Sequence, residues 1–396
     1  MRIAVFIKSS TFSKSYGGLE TQNKLLCEGL ASRGHTVVVF TPNIELEARE
    51  VRESGVLYKF VECKVASYSS VTVPKKDSWP LKSLEEFRIA NSKEKFDLII
   101  GQSSAAIGVI KSRVEFGVPI ISISHGTKMG EMQTKIQSDV SLKGIARTLL
   151  DLPHALKNFF TVQREFVHGS NLVIAVSSYV KKALIDETFV DEQKVRVVNN
   201  GIQPFGDVNK EYSAEKGNLR LLYVGQLIKS KGILRIADMV AHGMLEGMSL
   251  DIVGAGDLYE SLDHLAKNSG GKINMHGKLP YEDVLKIYDP RRFDVFVFPT
   301  SRIEGFPMVL IEAMFGGLPI VAFGLGGVPD AVFDNETGFL VKAGDFRAFK
   351  ANLEELRNHP ELVKKMGANA RNKAVERFSL DKMLDSYEEI FEEVMK

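Results

Sequence analysis

The chain has 396 residues, of which 44% are hydrophobic and 26% are charged, and its formal net charge is +1. This length is too great for one ordinary core and favours two domains of about 200 residues each. The balanced charge disfavours a nucleic-acid partner, and two cysteines are too few for a disulfide framework. No apolar run reaches the roughly 18 residues that a membrane span requires. We therefore expect a soluble, cytoplasmic protein. The N-terminal run Met1–Lys8 is too short for a signal peptide and begins the first predicted strand.

Short apolar runs alternate with helical patterns along the first half of the chain, which is typical of parallel βαβ units. The predicted strands are Ile3–Ile7, Thr36–Phe40, Asp97–Ile100, Ile120–Ser124, Leu172–Val176 and Val195–Val198. The predicted helices between them include Glu20–Ser32, Ala105–Phe116 and Ser178–Glu187. From about Lys128 to Gly169 the sequence is rather basic and has a helical pattern.

The pattern breaks at Asn199-Asn200-Gly201, so residues 201–216 are the predicted linker. The alternation then restarts with predicted strands Arg220–Val224, Ser249–Val253, Lys272–His276, Val295–Phe298, Pro319–Ala322 and Phe339–Val341. The predicted helices are Ile233–Met244, Leu258–Lys267, Tyr281–Tyr288 and Pro307–Phe315, and the tail from Asp345 is helical. We therefore predict an α/β protein with two doubly wound sheets, in residues 1–200 and 217–378, which bind ligands at the carboxyl ends of their strands.

Two glutamates, Glu304 and Glu312, flank the start of a predicted buried helix. Every position from Met308 to Phe315 is apolar except Glu312, and Pro307 fits the first helical position. A lone carboxylate in such a helix needs a partner. The spacing puts Glu312 up to about 12 Å beyond Glu304, so one could meet a reacting sugar and the other a ribose. The alternative is that Glu312 pairs with a buried Arg or Lys and Glu304 is a surface loop residue.

A second candidate segment, Val224 to Gly232, follows the first strand of the second half and opens a helix. Gly225 permits close approach of the backbone to a ligand, and Lys231 beside a helix start can neutralise phosphate. An ordinary solvated turn is the alternative. The start of the Pro307 helix would likewise favour an anion such as a diphosphate.

The stretch Glu304–Glu312 resembles the E-x7-E signature of the retaining family-4 glycosyltransferases of the GT-B fold. The segments Gly317–Ala322 and Gly326–Asp330 also resemble this family, although Asp330 stands where the family usually has Glu. The resemblance implies two Rossmann-like domains facing each other across a cleft, the first binding the acceptor and the second the nucleotide sugar. It also implies that residues 379–396 pack back onto the first domain.

The resemblance further implies transfer of a sugar from a nucleoside diphosphate to an acceptor hydroxyl, with retention of configuration and without a metal or a cofactor. The implied catalytic residues are His125, Glu304 and Lys231. The implied donor-binding residues are Gly17, Gly18, Gly225, Gln226, Lys231, Leu279, Glu304, Gly305, Phe306, Pro307, Met308, Leu310 and Glu312.

Several of these positions are weak signals when taken alone. A Gly-Gly pair such as Gly17-Gly18 is usually only a turn, and a single His such as His125 is as often structural as catalytic. Gln226 departs from the family, which normally has Arg there, so either Lys229 compensates, or leaving-group stabilisation is weaker, or the chain is impaired. The loop Gly277–Leu279 is predicted to border the base, with a plain strand-to-helix loop as the alternative.

Other functions remain open from the sequence. A nucleotide-sugar epimerase of the same fold would need no acceptor, and the Gln226 departure also suits a non-catalytic subunit that binds sugar nucleotides. The basic stretch Lys143–Leu150, with Lys157–Phe160 beyond it, could contact an anionic membrane that carries a lipid-linked acceptor, or could be a solvated amphipathic helix. The partners that the resemblance implies are a nucleotide-sugar donor and a saccharide or lipid-linked acceptor.

Overall fold

The computed structural model describes residues 1–13, 17–43, 48–63, 77–138, 153, 159–206 and 215–396. The chain divides into two compact units. The first unit takes the described residues within Met1–Met129, Leu149–Asn200 and Leu380–Lys396, and the second takes those within Gly130–Thr148 and Gly201–Ser379. The basic stretch Lys143–Leu150 lies outside the described residues, as do Lys157 and Asn158 of the following stretch and residues 207–214 of the predicted linker.

The described strands of the first unit form an eight-stranded sheet in the order β3-β4-β2-β1-β5-β6-β7-β8. They are β1 (Arg2–Phe6), β2 (Thr36–Pro42), β3 (Glu50–Glu53), β4 (Val56–Val61), β5 (Leu98–Gln102), β6 (Ile120–Ser124), β7 (Leu172–Ala175) and β8 (Val195–Val197). All neighbouring strands are parallel except β3 and β4, which form an antiparallel hairpin. The strands β5, β6 and β7 are buried throughout, as expected for central strands of a parallel sheet.

Helices connect these strands, because parallel neighbours require crossover connections. The described helices are α1 (Gly18–Ser32), α2 (Trp79–Lys93), α3 (Ile107–Lys111), α4 (Arg113–Phe116), α5 (Lys128–Ser138, grouped with the second unit from Gly130 onwards), α6 (Arg164–Gly169) and α7 (Ser178–Thr188). The last helix of the chain, α15 (Leu380–Met395), also belongs to this unit. Arg33, just after α1, holds it by donating hydrogen bonds to Asp385 at 2.8 Å and to Glu388 at 2.6 Å.

The second unit contains a parallel sheet of six described strands in the order β11-β10-β9-β12-β13-β14. These strands are β9 (Leu219–Val224), β10 (Met248–Val253), β11 (Ile273–Gly277), β12 (Val295–Phe298), β13 (Ile320–Phe323) and β14 (Gly338–Val341). The helices are α8 (Ile233–Ala241), α9 (Tyr259–Asn268), α10 (Tyr281–Ile287), α11 (Met308–Phe315), α12 (Val328–Ala331), α13 (Phe346–Asn358) and α14 (Pro360–Arg377). The strand order reverses between β9 and β12, and the loops that follow these two strands carry Lys231 and Glu304.

The two sheets confirm the predicted α/β class, and each predicted strand is present within two residues of its predicted ends. Three details were wrong or missed. The predicted helix Ala105–Phe116 is instead a 3-10 turn at Ser103–Ala106 followed by the separate helices α3 and α4. The β3–β4 hairpin and α2 were not predicted. None of the helices in the described ranges combines the length and the apolarity that a membrane span requires.

Candidate functional site

The loop between β9 and α8 is bound to its neighbours through the backbone. The amides of Gly225 and Leu227 donate to the carbonyls of Val253 and Ala255, at 3.0 and 2.9 Å. The amide of Gly254 in turn donates to the carbonyl of Gly277 at 2.8 Å. The loops after β9 and β11, which the sequence predicts to border the donor, are therefore linked through the loop after β10. Leu279, two residues beyond Gly277, is partly buried.

Gly232 fixes the end of this loop against the loop that follows β12. A short 3-10 turn, Lys229–Lys231, leads into Gly232, whose φ of +73° lies in the left-handed region. A Cβ at Gly232 would lie 2.0 Å from the carbonyl oxygen of Pro299. Only glycine permits this approach of two backbones, and it brings Lys231 beside the loop that carries Glu304.

We expect Gly232→Ala to be markedly more destabilising than Gly243→Ala, a matched change beyond the other end of α8. Gly243 has a φ of +72°, and a Cβ added there would meet no atom within 4 Å, so its variant carries only the cost of the left-handed backbone, about 1–2 kcal/mol. The clash with Pro299 adds about 1–3 kcal/mol for Gly232. Urea unfolding of both variants measures the difference, and equal losses would contradict the packing described here.

Lys231 and Glu304 form an ion pair at the carboxyl ends of neighbouring strands. The ammonium of Lys231 donates to Oε1 of Glu304 at 2.7 Å, and the two side chains are 14% and 15% exposed. The hydroxyl of Thr300 lies 3.5 Å from the same Oε1, and the Lys231 ammonium lies 5.5 Å from the centre of the Phe298 ring. The pair is accessible to a ligand but shielded enough for its charges to act strongly.

The Glu304 loop is held by backbone contacts on both sides. The amide and hydroxyl of Ser301 both donate to the carbonyl of Ser230, at 2.9 and 3.0 Å. The amide of Gly327 donates to the carbonyl of Glu304 at 2.8 Å, and Gly326, with a φ of +63°, leaves no room for a Cβ beside that carbonyl. The position of the Glu304 carboxylate is therefore set by two other loops.

The helix α11 begins one residue later than predicted, because Pro307 is its N-cap residue rather than its first helical residue. The side chains of Phe306, Met308 and Leu310 are at most 6% exposed and belong to the core of the second unit. If these predicted residues contact a donor, they do so through backbone groups. Gly305, at the turn into the helix, is partly buried.

Glu312 is 3% exposed, and its partners are tyrosines. The hydroxyl of Tyr288 donates to its Oε2 at 3.0 Å. Burial raises the pKa of the Glu312 carboxyl to about 7, while hydrogen bonds from Tyr288 and Tyr281 act in the opposite direction. Within the described ranges no Arg or Lys forms an ion pair with Glu312, so the cationic partner considered from the sequence is not found.

His125 directly follows β6 in the first unit and belongs to a hydrogen-bonded chain of side chains. Its Nε2–H donates to Oε1 of Gln102 at 2.7 Å, and the Gln102 amide group donates to Oδ1 of Asn23 at 2.9 Å. Burial lowers the pKa of the imidazole to about 4, so His125 is neutral at physiological pH. Sequence reasoning missed Gln102 and Asn23, although polar residues in a buried strand and on a buried helix face were a usable signal.

Gly17 is the N-cap residue of α1 and Gly18 is its first residue, and the backbone amide of Gly17 is bonded within that helix start. It donates to Oε2 of Glu20 at 2.8 Å, which is half of a capping box. The preceding Tyr16 lies outside the described residues. Gln226 lies in the β9–α8 loop, where its carbonyl accepts a hydrogen bond from the buried Tyr223 hydroxyl at 2.9 Å.

A cavity of about 900 Å³ opens beside α8 and α9 in the second unit. It shares Lys229, Gly232 and Ser301 with the loops described above, but its lining includes none of Lys231, Glu304 and Glu312. This cavity is therefore not the place where the side chains of Lys231, Glu304 and Glu312 lie.

Comparison with known proteins identifies the family of the chain. The model of the glycosyl transferases group 1 family matches residues 207–373, and the model of glycosyltransferase family 4 matches residues 16–204. An uncharacterized glycosyltransferase of Methanocaldococcus jannaschii is 24% identical over 100% of this chain and 99% of its own length. The UDP-Gal:alpha-D-GlcNAc-diphosphoundecaprenol alpha-1,3-galactosyltransferase of Escherichia coli is 25% identical over 88% of this chain and 90% of its own length.

Among solved structures, the sucrose-phosphate synthase of Thermosynechococcus elongatus superposes with a TM-score of 0.77 at 20% identity, covering 99% of this chain and 98% of that one. At this identity the likeness shows the fold, which is GT-B as predicted. The two family models and the full-length relatives together show that the chain is an enzyme and belongs to the group 1 glycosyltransferases of the GT-B fold.

Proposed function

We propose that this glycosyltransferase moves a hexosyl group from a uridine diphosphate sugar to a hydroxyl of a saccharide or lipid-linked acceptor, with retention of the anomeric configuration and without a metal. The observation that carries the proposal is the Lys231–Glu304 pair beside the start of α11, at the point where the strand order reverses. The donor base and the lipid-linked acceptor are supported by the name of the Escherichia coli relative.

In the proposed mechanism, the second unit stabilises the departing diphosphate. The Lys231 ammonium and the amide end of α11 supply positive charge where negative charge develops, which is electrostatic preorganisation. Because Lys231 and Glu304 are bonded to each other, both can contact the donor at once. Lys231 binds the phosphate oxygens, and Glu304 accepts hydrogen bonds from the sugar hydroxyls. Glu312 accepts hydrogen bonds from the ribose hydroxyls.

The chemical step exchanges one bond for another at the anomeric carbon. The bond from this carbon to the diphosphate oxygen breaks while the bond to the acceptor oxygen forms on the same face, through an oxocarbenium-like state. The departing diphosphate takes the acceptor proton, so no protein carboxylate has to act as base or nucleophile. His125 of the first unit is neutral at physiological pH, so it can supply hydrogen bonding but no charge.

Transfer is favoured over the two alternatives that the sequence left open. The family models and relatives describe glycosyltransferases, which disfavours an isomerase that acts on the nucleotide sugar alone. The Lys231–Glu304 pair is present despite Gln226, and a subunit without catalytic function would not need it.

A thermal-shift screen with UDP, GDP, ADP and their sugars tests the donor assignment. We expect UDP and UDP-sugars to raise the melting temperature, because a ligand at 100 times its Kd stabilises the folded state by about 2.7 kcal/mol. Slow release of UDP from the preferred sugar should continue in EDTA, and the anomeric proton of a product made with an acceptor panel should show retention. Stabilisation by GDP or ADP alone, loss of turnover in EDTA, or an inverted product would each contradict the corresponding part of the proposal.

A further inference from the structure

Glu312 is a buried carboxylate whose hydrogen-bonding partners come from both ends of one neighbouring helix. Tyr281 is the first residue of α10, and Tyr288 directly follows its last residue. The Tyr288 hydroxyl donates to Oε2 of Glu312 at 3.0 Å, and Tyr281 is the second side chain that hydrogen-bonds this carboxylate. No other hydrogen bond to the Glu312 carboxylate is formed within the described part of the chain.

This arrangement leaves half of the hydrogen-bond acceptor positions of the Glu312 carboxylate without a donor among the described residues. A carboxylate offers about four acceptor positions, and two tyrosine hydroxyls occupy two of them. The remaining two match the number of donors in a vicinal diol. The ribose of a nucleotide presents such a diol. A carboxylate that is free to rotate would bind both of its hydroxyls less well than a carboxylate held in one orientation.

We propose that Tyr281 and Tyr288 are positioning residues that hold the Glu312 carboxylate in the orientation that accepts both hydroxyls of the donor ribose. The proposal rests on the proposed function, since it requires a ribonucleotide donor at Glu312. It assigns a role to two side chains that the sequence did not single out.

The two tyrosines differ in their surroundings. Tyr288 is 1% exposed and packs against Phe296, with ring centres 5.9 Å apart, and its backbone carbonyl and Cβ leave no room for a Cβ on Gly316. Tyr281 is only partly buried and follows the loop after β11. Tyr288 thus anchors the carboxylate from the core, while Tyr281 holds it at the margin of the site.

The charge state of Glu312 gives the proposal a pH signature. Only the ionised carboxylate accepts two hydroxyls, and burial raises its pKa to about 7, so ribose binding should weaken as the pH falls through that value. The tyrosine hydroxyls stabilise the ionised form of Glu312, so removing one of them should raise the pH midpoint of ribose binding. Among the described residues, the two tyrosines hydrogen-bond the Glu312 carboxylate, and Arg371 of α14 donates to the carbonyl of Phe315 at the end of α11.

The test measures the affinity of the 396-residue chain for UDP and 2′-deoxy-UDP by calorimetry, at pH values above and below the pKa of Glu312. We expect the wild type to prefer UDP. Tyr281→Phe should weaken UDP binding about tenfold, the value of one hydrogen bond to a charged group, with little change for 2′-deoxy-UDP. The pH at which this variant has lost half of its UDP binding should be higher than in the wild type. Tyr288→Phe should act in the same direction.

Tyr387→Phe is the matched control, because Tyr387 is equally buried but lies on α15 in the first unit. It should leave the preference for UDP unchanged. A wild type that does not distinguish the two nucleotides, or a Tyr281→Phe variant with unaltered preference and midpoint, would overturn the inference even if the variant melts earlier. A wild type that binds no uridine nucleotide would instead overturn the proposed donor, and the two failures are thereby distinguished.

Discussion

Replacing Lys231 with alanine is expected to lower the turnover number about 10²- to 10³-fold while the protein stays folded, because it removes a cation aimed at the leaving diphosphate. Its effect on donor affinity should be smaller, since the charge on the diphosphate grows in the transition state. The variant also leaves the Glu304 carboxylate without the ion pair seen at 2.7 Å, at a cost of about 1–3 kcal/mol in stability.

Steady-state kinetics with the preferred donor measure the effect, and circular dichroism confirms the fold. Lys267→Ala is the control, since Lys267 lies on α9 with its side chain 74% exposed and pairs with Asp263 on its own helix. It should turn over at the wild-type rate. Near-normal turnover of Lys231→Ala would remove this lysine from the mechanism and would leave Lys229 as the candidate that neutralises the diphosphate.

Glu304→Gln should also reduce transfer by about 10²-fold or more, although the amide keeps the size of the side chain. The amide cannot accept as many hydrogen bonds from the sugar hydroxyls, and it no longer balances the charge of Lys231. Because the two residues act as a unit, the double variant Lys231→Ala/Glu304→Gln should fall little below the worse single variant.

Assays of product formation by the three variants and by Glu355→Gln test this expectation. Glu355 is exposed on α13, so its change should be silent. Losses that multiply in the double variant would show that Lys231 and Glu304 act independently, and a fully active Glu304→Gln would exclude a role for its charge.

The sequence was sufficient to predict the neighbourhood of Lys231 and Glu304 because both follow apolar strands of a parallel sheet. Such strands end at one edge, and the chain order alone places the two loops there. Their ion pair was not predictable, since it depends on side-chain directions that the Gly232 and Gly326 contacts set. The tyrosine partners of Glu312 were missed for a related reason: no spacing rule connects α10 with α11.

The missed elements of the first unit carried weaker signals. The β3 strand, Glu50–Glu53, has alternating charge and little apolar content, so only the Ser54-Gly55 turn, with φ values of 48° and 80°, marked the hairpin. The helix α2 had a usable pattern, since its buried residues Leu84, Phe87 and Ala90 follow helical spacing after Pro80 at the helix start.

The side chains linked to His125 form one chain of hydrogen bonds that runs from the imidazole through Gln102 to Asn23. Gln102 uses its amide nitrogen on Asn23 and its oxygen on the imidazole, so reversing either bond would set two donors or two acceptors against each other. An amide does not relay protons as a carboxylate or a water chain does. With the two amides in these orientations, the His125 ring carries its proton on Nε2 and its other nitrogen is an acceptor. An acceptor of this kind can orient an approaching hydroxyl while the ring stays neutral at physiological pH.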